Sequence, residues 1–310
     1  MKITISTPSN FNFRRTVMSH GWYALPPFEF DDEKWTLARV IDLGPAKPVT
    51  VTISEAKRGM LVNSSRHVGK RAAEKIVRDV RHMFRLDDDM SDFYEAVAHE
   101  PEFAWIATQG AGRLLRSPTV FEDLVKMICT TNCSWALTEK MVHSLVNELG
   151  REANNGRKSF PTAEVMAQQS EKFYRDKIRS GYRAPYLKEL AERVASGELN
   201  VENWLHASHR GSCATVRDGS LRPHDIPTSE LLKEIKYVKG VGNYAAENLL
   251  KLLGRYDGLA LDSWIRAQFA KLRNQSRKAS DKKIARFYAR FKSWRGLVLW
   301  CDMTRHWLEP

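Results

Sequence analysis

The pattern of apolar and polar positions changes once along the chain, near residue 70. Before that point, KWTLARVIDL and PVTVTISEAKRGMLVNS alternate or cluster β-branched residues and are separated by the turn-forming run GPAKP. Such runs are typical of strands joined by turns. We therefore predict an N-terminal β-rich domain over residues 1–69, built on an antiparallel sheet.

Beyond residue 70 the apolar residues recur every three or four positions, which is the period of an amphipathic helix. The stretch KRAAEKIVRDVRHMFRL shows this first. The later predicted helices are SPTVFEDLVKMICTT, SWALTEKMVHSLVNELG, Tyr186–Ser196, Ser229–Lys236, Asn243–Leu253, Ser263–Leu272, Lys282–Phe291 and Gly296–Trp307. The polar run HASHRGSCATVRDGSLRPHD is predicted as a loop. The fold class is therefore α+β, an N-terminal antiparallel β-sheet domain followed by an all-helical body over residues 70–310.

Signals at the helix ends refine two of these predictions. In SPTVFEDLVKMICTT, Ser117 suits the capping position, Pro118 the first helical position, and Glu122 and Asp123 the positive end of the helix dipole. Gly150 is expected to end the helix that follows.

The charge balance favours a polyanionic partner. Lys and Arg number 49 against 37 Asp and Glu, a net charge of +12, and such a surplus attracts nucleic acid. No apolar run approaches the roughly 20 residues of a membrane span, and the N-terminus lacks the apolar block of a signal peptide. We expect a cytoplasmic, nucleoid-associated protein, or a nuclear one in a eukaryote.

Cysteine spacing argues against a metal centre. The four cysteines are scattered and form no C-x-x-C pair: Cys129, Cys133, Cys213 and Cys301. We therefore expect reduced thiols, no zinc and no iron–sulfur cluster.

The stretch VKGVGNYAAENLLKLLGRYDGLALDSW carries the most specific chemistry. A turn containing Gly240 and Gly242 joins two predicted helices, and Asp262 follows about 20 residues later. Amides at a helix N-terminus form an anion site, and glycines let a phosphate approach them. From these residues alone, an ordinary helix–helix turn and a phosphate site both stay open, as do capping and catalytic roles for Asp262.

This hairpin and its following aspartate resemble the helix-hairpin-helix (HhH-GPD) DNA glycosylase superfamily. SPTVFEDLVKMICTTNCSWA and SGYRAPYLKELAERV are similar to segments of 8-oxoguanine DNA glycosylases. MFRLDDDMSDF and GAGRLLRSP are similar to segments of DNA-3-methyladenine glycosylase II. The resemblance runs from about Lys70 to the C-terminus. It implies a base excision repair hydrolase, active as a monomer, that flips a damaged base out of double-stranded DNA.

By this resemblance Asp262 is the catalytic residue. Cleavage of an N-glycosidic bond builds positive charge on the sugar, which a fixed carboxylate stabilises while it orients or deprotonates a water. Tyr244 occupies the position of the family's lyase lysine and cannot form its Schiff base. The enzyme is therefore expected to be monofunctional. Lys239 and Lys251 do not match that position, and we interpret both as solvated charges.

The resemblance also assigns DNA contacts. Asn132 matches the residue that fills the gap left by the flipped base, Tyr182 the wedge, and Arg183 the contact to the orphaned base. Each also fits a plain role, Asn132 as a turn residue and the other two as a surface pair packing on Tyr186.

The hairpin backbone has two implied roles. The amides of Gly240, Val241 and Gly242 would hold one phosphate, and the carbonyls of Lys236, Val238 and Val241 would hold K⁺ or Na⁺, so that no cofactor is required for the chemistry itself. Three basic residues would extend the DNA footprint, unless they are ordinary surface charges: Lys239, Arg266 and Lys271.

The base pocket is expected to include Tyr244 and a tryptophan of SWRGLVLWCDM, a segment similar to the family's pocket helix. Trp294 and Trp300 lie on different helical faces. We expect Trp300 to line the pocket and Trp294 to pack in the core. HGWYALPPF either lines the pocket or packs the sheet on the helices.

The damaged base stays open. Aromatic walls attract cationic alkylated purines, and the region of HGWYALPPF lacks the glycine-glutamine loop of 8-oxoguanine enzymes. Alkylated purines are therefore favoured, with 8-oxoguanine and weak lyase activity as the alternative suggested by Asn132, Tyr182 and Arg183. Two readings from other classes are a non-catalytic damaged-DNA-binding protein, which has no need of Asp262, and a basic metabolic enzyme with a coincidental hairpin.

Overall fold

The computed structural model of this protein describes residues 1–206 and 226–308. Cys213 and nearly all of the polar run predicted as a loop lie outside the described residues. Within them, the remaining three cysteines carry free thiols.

The N-terminal part forms one five-stranded sheet. Its strands pair antiparallel throughout, in the order β1-β5-β4-β3-β2. The strands are β1 Lys2–Ile5, β2 Phe28–Asp31, β3 Thr36–Leu43, β4 Ala46–Ala56 and β5 Gly59–Ser64. The central strand β4 carries many of the β-branched residues of the sequence pattern, and its Val49, Val51 and Ile53 are fully buried. The antiparallel sheet predicted for this region is thus present.

Helix α1 (Phe13–Val17) and one 3-10 helix lie between β1 and β2, and a body of helices follows the last strand. The α-helices are α1 Phe13–Val17, α2 Lys70–Met83, α3 Ser91–Ala98, α4 Ala104–Thr108, α5 Val120–Thr130, α6 Trp135–Leu149, α7 Ala163–Ala167, α8 Glu171–Asp176, α9 Ala184–Ala195, α10 Asn203–His206, α11 Thr228–Lys236, α12 Asn243–Leu252, α13 Ser263–Arg273, α14 Asp281–Tyr288 and α15 Arg295–Thr304. Four 3-10 helices interrupt them, at Gly21–Ala24, Gly181–Arg183, Ala289–Trp294 and Arg305–Leu308. The predicted α+β class is confirmed.

Two of the helix boundaries that differ from the prediction have a clear local cause. Helix α5 is capped by Thr119, whose side chain accepts the Glu122 N–H, and not by Ser117. The Ser117 N–H instead donates to the Asp123 carboxylate at 2.9 Å. Helix α14 ends at Tyr288, because the chain turns there into a 3-10 helix in which Lys292 has a φ of +51°.

Buried charges join the sheet to the helical body. Arg39 of β3 donates to both carboxylate oxygens of Glu122 on α5, at 3.1 and 2.5 Å, and Lys126 lies 2.7 Å from the same carboxylate. On the same helix, Asp123 accepts the Trp22 indole N–H at 2.7 Å. Removing one partner of a buried ion pair is strongly destabilising. These contacts therefore fix α5, and the turn after it, relative to the sheet.

A membrane-spanning helix is not found among the described residues, since none of their helices is both long and apolar enough.

Candidate active site

The turn between α11 and α12 needs glycine at one of its two glycine positions. Gly240 has a φ of +86°, and a Cβ built there would lie 2.6 Å from the Tyr186 ring. Gly242 has an ordinary φ of −85°, and a Cβ built there would meet no atom within 4 Å. The fold therefore requires glycine at position 240 and does not require it at position 242.

The amides of this turn are not equally available. The Val241 N–H donates to the Val238 carbonyl at 3.1 Å, so it cannot supply a free donor to a phosphate as predicted. Within residues 1–206 and 226–308, neither the Gly240 N–H nor the Gly242 N–H donates to another group of the protein. Gly242 also caps α12, so its amide lies at the positive end of that helix.

Asp262 caps helix α13. Its Oδ1 accepts the Ile265 N–H at 2.7 Å, which fixes the carboxylate at the start of the helix. The segment leading to it is held by α12, since Glu247 accepts the Ala260 N–H at 2.5 Å and the Lys251 ammonium donates to the Leu259 carbonyl at 3.1 Å. The cap and the position of the carboxylate thus depend on the same contacts.

Two cavities meet at Asp262. The outer one is a cleft of about 770 Å³ between the glycine turn, Tyr182 and the turn that carries Asn132. The inner one is a cavity of about 560 Å³ inside the helical body. Both are lined by the same five residues: Thr130, Cys133, Tyr244, Asp262 and Ser263. Asp262 therefore lies where the cleft opens into the cavity.

Tryptophans form much of the inner cavity. Those that line it are Trp22, Trp135, Trp264, Trp300 and Trp307. The Trp300 ring lies about 6 Å from those of Trp264 and Trp307, and its indole N–H donates to the Ser19 carbonyl at 2.7 Å. Trp294 stacks on Tyr256, at 5.4 Å, and does not line the cavity.

Sequence reasoning singled out Trp300 and named the stretch with Trp22 as one of two options, but it missed the other three tryptophans. Trp135 begins α6, Trp264 lies in the first turn of α13 and Trp307 follows α15. No periodic pattern connects these positions, because they meet only through packing of separate helices.

One face of α12 also lines the cavity. Tyr244, Asn248 and Lys251 stand at positions i, i+4 and i+7, which share one side of a helix. This spacing was the available signal for Asn248 and Lys251, which sequence reasoning did not place in the pocket. Lys251 is only 2% exposed, so its interpretation as a solvated charge is wrong. Burial lowers the pKa of Lys251 to about 8, although the charges of Glu247 and Asp262 oppose the shift.

Tyr244 is coupled to Asp262. Burial, the negative charge of Asp262 and a hydrogen bond to it raise the pKa of Tyr244 to about 12. The phenol therefore stays protonated near neutral pH and donates to the carboxylate.

His20 adds a neutral polar group to the cavity wall. Burial lowers its pKa to about 4, against the raising effect of the hydrogen bond to the Leu115 carbonyl. The ring is therefore uncharged at neutral pH. Because a carbonyl only accepts, Nε2 carries the proton and donates to it at 2.5 Å.

The outer cleft brings together the residues predicted to contact DNA. Asn132 is exposed in the turn between α5 and α6, with a φ of +46°. Tyr182 is 48% exposed, and its hydroxyl donates to the Thr131 carbonyl at 3.2 Å. Both line the cleft together with the glycine turn.

Arg183 differs from its predicted place. It is 3% exposed, and its guanidinium donates to the Thr131 hydroxyl at 3.2 Å and to the Thr131 carbonyl. In this structure Arg183 therefore supports the turn before Asn132, and it is not presented at the surface for contact with a base.

Two of the predicted basic contacts are engaged in exposed ion pairs. Lys239 lies 2.7 Å from Glu189, and Arg266 lies 2.8 Å from Asp281. Such pairs contribute little stability and exchange readily for other anions.

Comparison with known proteins gives a consistent set of matches. A family model described as the HhH-GPD superfamily base excision DNA repair protein matches residues 125–294. A DNA-3-methyladenine glycosylase of Bacillus subtilis is 23% identical over 278 residues, which is 86% of this chain and 84% of the relative.

Among solved structures, the 3-methyladenine DNA glycosylase of Archaeoglobus fulgidus aligns with a TM-score of 0.72 at 20% identity, over 100% of both chains. The apo form of the Clostridium acetobutylicum 8-oxoguanine glycosylase/lyase aligns with a TM-score of 0.71 at 18% identity, over 97% of this chain and 95% of that one. These alignments show a shared fold, and because they cover nearly the whole chain, the shared fold includes the N-terminal sheet.

The two glycines of the turn make a matched pair for measuring stability. We expect Gly240→Ala to lower the free energy of unfolding by about 1–3 kcal/mol, because alanine at a positive φ is strained and its Cβ meets Tyr186. Gly242→Ala should cost less than about 1 kcal/mol, the loss of a favourable capping residue. Urea unfolding of both variants checks this, and equal losses would contradict the assignment.

Proposed function

This chain belongs to the HhH-GPD superfamily of base excision DNA repair proteins and is a DNA glycosylase, and we propose that it is a monofunctional one. In this proposal it flips a damaged purine out of duplex DNA and hydrolyses the N-glycosidic bond without cutting the sugar–phosphate backbone.

The position of Asp262 carries the proposal. A nucleotide everted from DNA in the cleft would place its base in the inner cavity and its sugar at the opening, beside the carboxylate. The bond between sugar and base then breaks with positive charge on the sugar, which the fixed carboxylate stabilises. The same group orients or deprotonates the water that completes hydrolysis. Tyr244 lies beside the carboxylate, which helps raise the pKa of its phenol.

The residue that stands beside Asp262 on α12 supports hydrolysis over lyase chemistry. A Schiff base needs a lysine at the sugar, and the residue on α12 beside Asp262 is Tyr244, whose hydroxyl is bound to that carboxylate. The amine of Lys251 is buried and donates to the Leu259 carbonyl. We therefore assign no lyase role to either residue.

The cleft is proposed to bind duplex DNA around the lesion. Its free Gly240 and Gly242 amides suit one phosphate, and the net charge of +12 favours the polyanion. A solved complex of the Clostridium acetobutylicum enzyme, which aligns with a TM-score of 0.69, contains double-stranded DNA with cytosine opposite 8-oxoguanine. Asn132 would occupy the gap left by the flipped base, and Tyr182 would act as the wedge.

A flat purine suits the cavity. Its tryptophan rings offer stacking surfaces for an extruded base. Alkylated purines remain the first candidates, as the sequence suggests. The second candidate is 8-oxoguanine, which the arrangement of Asn132 and Tyr182 in one cleft favours. The experiment that separates them is single-turnover base release from duplexes carrying each lesion.

A monovalent cation at the hairpin is part of the proposal. The carbonyl-bearing residues Lys236, Val238 and Val241 all line the cleft, and the Val238 carbonyl keeps one lone pair while it accepts the Val241 N–H. Hard oxygen donors of this kind suit K⁺ or Na⁺, which would offset the charge of a nearby phosphate and take no part in bond cleavage. We further propose that the protein acts as a monomer and wherever chromosomal DNA lies, in the cytoplasm or nucleus.

Asp262→Asn tests the catalytic role with the fold preserved. Asparagine also caps helices, so the bond to the Ile265 N–H and the thermal unfolding temperature should be kept. Losing the negative charge should slow base release by at least about 100-fold while abasic-site DNA still binds. Single-turnover release and a shift assay measure both, and full activity in this variant would refute the proposal.

Borohydride trapping tests the absence of lyase chemistry. We expect no covalent adduct between the wild-type enzyme and lesion or abasic duplexes, because the residue of α12 beside Asp262 is a tyrosine and not a lysine. Adduct formation would contradict monofunctional hydrolysis. If Lys251→Met then formed no adduct, the amine of Lys251 would be the responsible group.

Asn132→Ala tests the gap-filling role. Removing the side chain should slow release of a normally paired lesion about tenfold more than release of the same lesion in a mismatch, because a mismatched base costs less to unstack and unpair. Single-turnover rates on the two duplexes give the comparison. Equal slowing on both would mean that Asn132 only shapes the turn.

A further inference from the structure

We propose that Lys251 makes the inner cavity selective for neutral damaged purines and disfavours purines that carry a positive charge, such as those methylated at N3 or N7. This inference rests on the proposed function, whose base class it narrows.

Lys251 lies too deep to act on the sugar. It follows Tyr244 by seven residues on the same helical face, which places its backbone about 10 Å further along α12. Tyr244 stands beside Asp262 at the opening, where the sugar would lie. Lys251 therefore belongs to the part of the cavity that receives the base.

The ammonium keeps free hydrogen-bonding capacity. Of its three N–H groups, one donates to the Leu259 carbonyl at 3.1 Å, and no second acceptor engages it among the described residues. Its pKa of about 8 leaves it charged at pH 7. A buried cation with unmet donors favours a ligand that brings an acceptor oxygen or nitrogen.

The carboxylates around Lys251 are already engaged. Glu247 accepts the Ala260 N–H, and Asp262 accepts the Ile265 N–H and the Tyr244 hydroxyl. Glu247 does not line the inner cavity, and Asp262 lines it where it meets the cleft, the place proposed for the sugar. Among the residues that line the cavity, the charged side chain further in is the Lys251 ammonium.

The aromatic wall does not reverse this balance. The Lys251 ammonium lies over the Trp300 ring, 5.7 Å from its centroid, so this ring already faces one cation. A cationic base stacked there would meet a like charge in a poorly solvated cavity. The argument that aromatic walls favour cationic alkylated purines is thereby weakened for this chain.

The class that remains is neutral and carries an acceptor on the edge away from the sugar. Hypoxanthine, 8-oxoguanine and 1,N⁶-ethenoadenine belong to it, so a neutral alkylated base is retained. Purines with a fixed positive charge do not belong to this class, and 7-methylguanine in DNA is an example of them.

The test compares rates on neutral and cationic lesions at pH 7. Single-turnover release is measured from duplexes carrying hypoxanthine, 8-oxoguanine, ethenoadenine or 7-methylguanine, each corrected for spontaneous loss. We expect the wild type to release at least one neutral base about tenfold or more faster than 7-methylguanine. Lys251→Met keeps the length and apolar stem, and it should lower this ratio at least about tenfold.

Lys239→Met is the matched control. This lysine is exposed and lines the outer cleft. Its loss should weaken binding to all duplexes by a common factor and leave the ratio of release rates for neutral and cationic bases unchanged. Equal slowing of every lesion by Lys251→Met, with unchanged unfolding temperature and abasic-DNA affinity, would overturn the inference. A wild-type preference for 7-methylguanine would do the same.

A binding measurement separates this inference from the proposed function. Duplexes with 2′-fluoro sugars resist hydrolysis, so the affinities for 2′-fluoro hypoxanthine and 2′-fluoro 7-methylguanine can be compared directly. If the wild type binds the duplex with the neutral base more tightly and Lys251→Met loses this preference, the result supports the role of Lys251 even when no base is released. Base release without any such preference would sustain the glycosylase and remove the selectivity.

Discussion

The hydrogen bond from the Ile265 N–H to the Asp262 carboxylate is the contact on which the site depends. It satisfies a free amide at the start of α13 and fixes the acid that faces the opening between cleft and cavity. Capping and catalysis, which sequence reasoning treated as alternatives, are therefore compatible in one side chain. A carboxylate on an unconstrained loop would have to be ordered during each reaction, whereas this one is positioned in advance.

Helix α12 connects this acid to the outer cleft, which is proposed to bind DNA. Its N-terminus is the glycine turn, one face lines the base cavity, and Glu247 and Lys251 hold the segment that leads to Asp262. Because a helix is rigid over this length, the phosphate proposed to bind at Gly242 and the sugar proposed to lie beside Asp262 would be held at a fixed separation. In the proposed function, one helix thus both binds the DNA strand and positions the acid.

The sequence was most informative where the determinants are local. Periodicity and capping signals located most helices, and the hairpin with its aspartate located Asp262. Sequence failed where burial depends on distant elements. Arg183 looks like a surface residue until it meets Thr131, 52 positions away, and Lys251 looks solvated until Trp300 closes over it. The α5 cap was misplaced by two residues because Ser117 donates to Asp123 instead of beginning the helix.

The position of an amine along α12 determines the chemistry open to it. A lysine at position 244 would stand at the sugar and could attack it, but this chain has tyrosine there and a lysine two turns further on. At that depth the same functional group meets the base and not the anomeric carbon. In the proposed function it acts through charge and hydrogen bonding, which select among bases, and leaves bond cleavage to Asp262 and water. The group that recognises the base and the end of the helix beside the reacting sugar would then lie two turns apart on one face of α12.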